Sequence, residues 1–238
     1  MLKQIKNIVS PRPPKLLFVH IPKTAGISLY SALEKHLGYR NCKRWEQATK
    51  LDDYLATPDD NLQQLRLLSG HFSYEMFMRK NTGDRYVFTL LREPLERIRS
   101  TYYYLLSDPN HPRHDLVRGL SIDQFIENTL APNKLNRQCW FISGHRDFEQ
   151  TLESIENNFD LVGIVESMDP FLEKLSEAIK AKRTIRLKKL NKTSVKKPSG
   201  NDISIELANR FRQAHGGDYK LWQHIARSKN SIIGKSVR

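Results

Sequence analysis

Short apolar runs alternate along the chain with stretches in which apolar residues recur at helical spacing. Leu16 to Ile21 is a compact apolar run, the turn Pro22-Lys23-Thr24-Ala25-Gly26 follows, and Leu29, Leu33 and Leu37 then repeat with helical period. That pattern predicts a strand, a loop and a helix, with Gly38 placed as its C-cap. Leu65–Ser69, Arg85–Leu91 and Leu161–Val165 read as further short buried strands, the first followed by Gly70-His71-Phe72 and the second by Arg92-Glu93-Pro94. Pro94 suits the first position of a helix that carries Arg97, Arg99, Ser100 and Tyr102 to Tyr104. A short helix is expected near Asp52–Ala56, and Ser121 to Gln124 matches a capping box for one running to Leu130. Phe148–Asn158, a segment opened by Asp169-Pro170, and Ser204–Ala214 complete the helical readings, with Asp218 expected to cap a last helix through Tyr219, Leu221, Trp222 and Ile225. No repeat is present, so residues 1–238 are expected to form one α/β domain with a mainly parallel sheet.

Composition narrows the class. A chain of 238 residues with 39% hydrophobic content can bury a sizeable core, and no run approaches the roughly 18 apolar residues of a membrane span. Residues 1–15 read as a flexible segment: Lys3, Lys6, Arg12 and three prolines interrupt it, so it lacks the apolar centre of a secretory signal. A cytoplasmic protein is the simplest expectation, with a trimmed chain or an acid-free targeting segment as the alternative. Cys42 and Cys139 are too few for a four-cysteine metal site and read as free thiols. The net charge of +13 favours polyanions: nucleic acid, acidic membrane, sulfated or carboxylated glycan, or a multiply charged nucleotide. Nine of these cations fall between Lys180 and Lys197, so 180–200 reads either as a solvated basic loop or as a lid with Asn191-Lys192-Thr193-Ser194 at its tip.

The loop after the first strand is the leading chemical candidate. A helix N-terminus collects unpaired backbone N–H groups and favours negative charge, so this junction suits a phosphate or sulfate. Lys23 would add a mobile cation, and Thr24 and Ser28 hydroxyl donors. A nucleoside-triphosphate loop needs G-x-x-x-x-G-K-[ST]. Here the two glycine positions hold Leu17 and Pro22, and no strand-end Asp offers itself to Mg²⁺. His71 follows a strand and a glycine, where open α/β sheets build sites, and is a candidate general base or else a histidine held by local backbone groups. The other histidines, His20 among them, have weaker positions, and none forms a recognisable metal pattern. Arg97, Ser100 and Tyr104 share one helix face, with Arg92 near the same edge, which suits a second phosphate or a solvated basic surface. Asn133, Arg137 and Trp140-Phe141 either line a pocket or fill the core, and no chemistry is assigned to Asn41–Gln64.

Ile21-Pro22-Lys23-Thr24-Ala25-Gly26-Ile27-Ser28 and Arg92-Glu93-Pro94-Leu95-Glu96-Arg97-Ile98-Arg99-Ser100-Thr101-Tyr102-Tyr103-Tyr104, in that order and about 70 residues apart, resemble the two cofactor motifs of the carbohydrate sulfotransferases related to heparan sulfate 2-O-sulfotransferase (sulfotransferase family 2). Ser69-Gly70-His71, Val162-Gly163 with Glu166, Asn191-Lys192-Thr193 and Asp218-Tyr219 extend the likeness. The resemblance implies a P-loop-kinase-like three-layer α/β fold and a 3′-phosphoadenylyl sulfate (PAPS) donor, with no metal required. It assigns Lys23, Thr24, Ala25, Gly26, Ile27 and Ser28 to the 5′-phosphosulfate, Arg92 and Ser100 to the 3′-phosphate, and adds Lys192 and Thr193 to the cofactor residues. Lys23 would stabilise the leaving group and His71 would take the proton of the acceptor hydroxyl.

Ile27 departs from the pattern, since many members carry a small hydroxyl residue there. The Golgi stem and anchor of the animal enzymes are not seen, which points to a soluble bacterial enzyme. The expected partners are a nucleotide donor and a saccharide, glycolipid or other hydroxyl acceptor, an acidic one included, with no specific nucleic acid. A small-molecule kinase and a polyanion-binding module resting on the 180–197 charge run are the alternatives.

Overall fold

The structure is a computed structural model that describes residues 13–46, 50–187 and 203–228 and the backbone of 232–233. In chain order its elements are β1 (Leu16–Val19), α1 (Gly26–Leu37), β2 (Cys42–Trp45), α2 (Lys50–Ala56), α3 (Asp59–Gln64), β3 (Leu67–Gly70), α4 (Tyr74–Phe77), β4 (Tyr86–Leu91) and α5 (Pro94–Ser107). There follow α6 (Ile122–Glu127), α7 (Arg137–Ser143), α8 (Phe148–Asn158), β5 (Leu161–Ile164), α9 (Met168–Ala178), α10 (Ile205–Ala214), α11 (Gly216–Arg227) and β6 (Ile232–Ile233).

The strands form one sheet in the order β2-β3-β1-β4-β5-β6, parallel throughout except for β6, which runs antiparallel to β5. Successive residues of β1 face opposite layers, as strand geometry requires. Leu16 and Phe18 pack with Leu29, Tyr30 and Leu33 of α1 and with Phe171, Leu172 and Leu175 of α9. Leu17 and Val19 pack with Ile142 of α7, Ile155 of α8 and Leu221 and Ile225 of α11. Both faces of the sheet are covered, which is why its inner strands read as continuous apolar runs. The result is the expected three-layer α/β fold with a mainly parallel sheet. A third cluster joins Ile98 and Tyr102 of α5 to Ile126 of α6 and Leu207 and Phe211 of α10. No helix among the described residues is long and apolar enough to cross a membrane.

Three local readings change. β2 lies where the chain reads as polar, because it is an edge strand whose Lys43 and Arg44 stand exposed. Charged side chains on an edge discourage pairing with another chain. α6 stops at Glu127 rather than Leu130. Asp218 does not cap α11, which begins two residues earlier at Gly216. Its buried carboxylate instead accepts the N–H groups of Gln138 and Cys139 at 3.1 and 2.9 Å, capping the neighbouring helix α7 of the same layer. The basic segment is described to residue 187, where Ile185 is buried and donates its N–H to Ser176 Oγ at 2.8 Å.

Candidate active site

In a parallel sheet all carboxyl ends fall on one edge, and register decides which residues meet there. Val19 of β1 and Trp45 of β2 both pair with Gly70 of β3. The next residue of each strand therefore arrives at the same place, bringing His20, Glu46 and His71 together. His71 Nδ1 bonds the backbone carbonyl of Glu46. A carbonyl only accepts, so Nδ1 carries the hydrogen and Nε2 keeps the lone pair. His71 Nε2 lies 3.1 Å from His20 Nδ1, which is also 3.4 Å from Glu46 Oε1. One His20 N–H is thus shared between a neutral imidazole and a carboxylate.

Burial dominates the electrostatics of this cluster. It lowers His71 to about 4, with His20 adding to the effect and Glu46 opposing it. It also lowers His20, against the hydrogen bond and charge of Glu46. For Glu46 burial acts upward, and the hydrogen bond and charge of His20, with Arg44 and His71, outweigh it and hold the carboxyl below its ordinary range. Arg44 Nη1 lies 3.3 Å from Glu46 Oε1. Two neutral imidazoles beside one carboxylate are therefore the state at neutral pH. His20 is fixed in place by stacking on Phe18, with ring centroids 5.1 Å apart, and by close approach to Gly26.

The same edge carries the anion loop. Lys23 and Ala25 have left-handed backbone, φ 72° and 63°, on either side of Thr24. Alternation of this kind turns successive N–H groups to one side and makes a concave anion nest. Non-glycine residues hold that conformation only where the surrounding structure imposes it, a feature that clusters at ligand sites. No side chain caps α1 and its first turn contains no acidic residue, so nothing among these residues competes for an anion at the helix N-terminus. Thr24 is fully buried and its hydroxyl donates to the Ile21 carbonyl at 2.8 Å. Its hydrogen thus closes the turn, leaving its backbone N–H for a ligand. Gly26 is buried against His20, while Ile27 and Ser28 are half-buried in the first turn of α1.

Arg92, at the end of β4, reaches this loop directly: its Nη1 donates to the Lys23 carbonyl at 3.3 Å. The Lys23 ammonium lies 3.8 Å over the ring of Tyr104 on α5. Ser100 is half-buried one turn earlier on that helix. Lys23, Arg92 and Tyr104 are therefore one assembly, and it adjoins the histidine cluster, since Lys23 follows His20 by three residues and Gly26 of the same loop packs against the His20 ring. Arg97 turns inward instead: it is 6% exposed, and burial lowers it while Asp218 opposes that shift. Trp140 is half-buried beneath the Arg137 guanidinium at 4.2 Å, and Phe141 joins the core. Lys192 and Thr193 lie outside the described residues.

Sequence reasoning missed three residues here. His20 and Glu46 could have been found only from strand register. Gln138 is fully buried and forms a reciprocal pair with the Arg92 backbone, accepting its N–H at 3.0 Å and donating to its carbonyl at 2.9 Å. Glu166 holds the next residue in a similar way, accepting the Glu93 N–H at 2.9 Å and the Trp222 indole N–H at 3.2 Å.

No family model matches the chain. It is 24% identical over 187 residues to the heparin sulfate O-sulfotransferase of Drosophila melanogaster, covering 71% of this chain and 49% of that protein. It is 23% identical over 193 residues to heparan sulfate 2-O-sulfotransferase 1 of Mus musculus, covering 69% of this chain and 54% of that protein. The chain spans about half the length of the curated relatives it matches. At this distance the chain is similar to heparan sulfate O-sulfotransferases.

Proposed function

We propose that the chain is a PAPS-dependent sulfotransferase of sulfotransferase family 2, acting on a hydroxyl of a carbohydrate or glycolipid acceptor. The observation that carries this reading is the joining of the uncapped α1 loop to Arg92 through the Lys23 carbonyl, at the sheet edge that also holds His71. Two anion-binding elements beside a neutral imidazole suit a donor with two phosphate groups and an acceptor with a proton to lose. The likeness to heparan sulfate O-sulfotransferases supports the same chemistry.

In this reading the N–H groups of Thr24 to Ile27 hold the 5′-phosphosulfate, with the Ser28 hydroxyl beside them, and Arg92 and Ser100 hold the 3′-phosphate. PAPS supplies the sulfuryl group and a phosphate leaving group. Lys23 moves from the face of Tyr104 to the bridging oxygen, where it stabilises charge that develops only in the transition state. The acceptor oxygen bonds to sulfur as the sulfur–phosphate oxygen bond breaks, and the acceptor proton passes to His71 Nε2. That nitrogen is the one His20 now hydrogen-bonds, so the acceptor hydroxyl takes over this contact. A His71 pushed down to about 4 is unprotonated at neutral pH and ready to accept.

Thermal denaturation with 3′-phosphoadenosine 5′-phosphate should raise Tm, and Lys23→Ala or Arg92→Ala should abolish the rise. Transfer of labelled sulfuryl from PAPS to a panel of glycans, lipids and phenols should fall about 10²- to 10⁴-fold in His71→Ala, which keeps the thermal shift. No shift with millimolar nucleotide overturns the proposal, and a Mg²⁺-dependent shift with ATP instead would make the protein a small-molecule kinase.

A further inference from the structure

We propose that His20, Glu46 and His71 form a binding site for one zinc ion, which silences transfer by occupying the imidazole nitrogen assigned to the acceptor proton. Binding of the ion rests on the geometry of the three side chains alone. Its effect on turnover rests on the function proposed above.

One ligand atom from each residue lies within 4.8 Å of the other two. Two of the edges are 3.1 Å, between His71 Nε2 and His20 Nδ1, and 3.4 Å, between His20 Nδ1 and Glu46 Oε1. Four-coordinate zinc with bonds of about 2.0–2.1 Å places neighbouring ligands about 3.3 Å apart, so both edges already have the required length. Two histidines and one carboxylate with a fourth position open are a recurrent zinc donor set. The outer partners also fit. His71 donates Nδ1–H to the Glu46 carbonyl, the kind of contact that fixes tautomer and ring orientation in zinc-bound histidines. His20 is held by Phe18 on one side and Gly26 on the other, so its ring is positioned before any ion arrives.

The centre of this triangle now contains the His20 Nδ1 proton, shared by its two neighbours. An ion takes that place when His20 carries its proton on Nε2 instead, a change of tautomer that leaves the ring neutral. No covalent or redox step is involved. Among the described residues, the charges facing the site are Arg44, 3.3 Å from Glu46, and Lys23, which acts on His20 through its field. Both oppose a cation, and the Arg44 side chain, 42% exposed, also lies over the ring of Tyr30 at 5.0 Å. They set the affinity below that of a structural zinc site and make occupancy reversible.

The test uses the full chain and Co²⁺ as a spectroscopic probe. One equivalent should bind with the visible absorption of a four-coordinate ion and be displaced by one equivalent of Zn²⁺. His20→Asn and the near-isosteric Glu46→Gln should each weaken binding by more than the 10- to 100-fold typical of losing an outer-shell partner. Circular dichroism confirms folding, and Glu46→Gln keeps the test decisive where His20→Asn does not fold. In transfer assays Zn²⁺ should inhibit the unmodified protein, and Glu46→Gln, referred to its own zinc-free rate, should need a correspondingly higher concentration. Absence of Co²⁺ binding, or binding unchanged in both variants, overturns the site. Binding without inhibition, or activation by Zn²⁺, overturns the silencing role. A protein with no transferase activity that still binds Co²⁺ through these residues refutes the proposed function and leaves the metal site standing.

Discussion

His71 Nε2 and His20 Nδ1 stand 3.1 Å apart across two paired parallel strands, with ring planes inclined at 60°. His71 is half-buried at the rim, whereas His20 is 2% exposed and cannot touch an acceptor. His20 is therefore a positioning residue for His71. His20→Ala should lower kcat by up to about 10²-fold, the scale of an ångström-sized misplacement, with little change in the acceptor KM. His20→Asn should recover part of the loss, because its side chain still fills part of the space where the His20 ring packs edge-on against His71, with centroids 4.4 Å apart. Equal rates for the two variants would remove this role.

Gly26 tests the same contact from the other side. A Cβ built there would lie 1.9 Å from His20 Nε2. Glycine to alanine inside a helix ordinarily stabilises by about 1 kcal/mol, so the sign of Gly26→Ala depends on which effect wins. Overlap with a buried ring is far larger than a propensity gain, and a loss of about 2 kcal/mol or more is expected. At this chain length that corresponds to a Tm lower by roughly 4–8 °C. Combining it with His20→Ala should shrink the loss, as a double-mutant cycle would read.

The clamp of Gln138 on the Arg92 backbone predicts a stability and binding defect at a distance from the nucleotide. Gln138→Leu keeps volume but leaves the Arg92 N–H and carbonyl without their partner. Each buried group left unsatisfied costs about 1–3 kcal/mol, so chemical denaturation should show a loss of that order. The thermal shift given by 3′-phosphoadenosine 5′-phosphate should also shrink, since Arg92 links β4 to the anion loop. An undiminished shift would show that this clamp does not position Arg92.

Acid sensitivity should report His215. Burial, with Arg97 and Arg146 adding to it, lowers this imidazole to about 4, and its Nδ1 accepts the Asn136 N–H at 3.3 Å. The unfolded chain titrates the same group near 6.5, so the folded state binds the proton less well. Its contribution is intact above pH 6.5 and is lost as pH falls from 6.5 to about 4, by up to about 3 kcal/mol. His215→Gln should flatten the stability profile in that window, and the difference between the two profiles isolates His215 from the carboxylates.

Much of the architecture was legible because it is written in short-range periodicity. The apolar runs of β1, β3, β4 and β5 mark strands covered on both faces, and α8 occupies the predicted Phe148–Asn158. The Ser121–Gln124 capping box forms as read. The loop around Lys23 and the Arg92 segment stood out because each pairs a strand end with a helix start. β2 was not legible, since an edge strand with charged residues has no apolar signature.

The sequence by itself determined where strands and helices alternate and which junctions present backbone N–H groups to an anion. These are properties of neighbours a few residues apart. Only the tertiary structure decided that Glu46, His20 and His71 meet, over separations of 25 and 51 residues, and that Asp218 caps a helix 80 residues away. Those contacts depend on the order and register of strands joined by long crossovers, which no local pattern encodes. The physical reason is that a strand's periodicity specifies which face it buries, while its neighbours are selected by the packing of both helical layers at once.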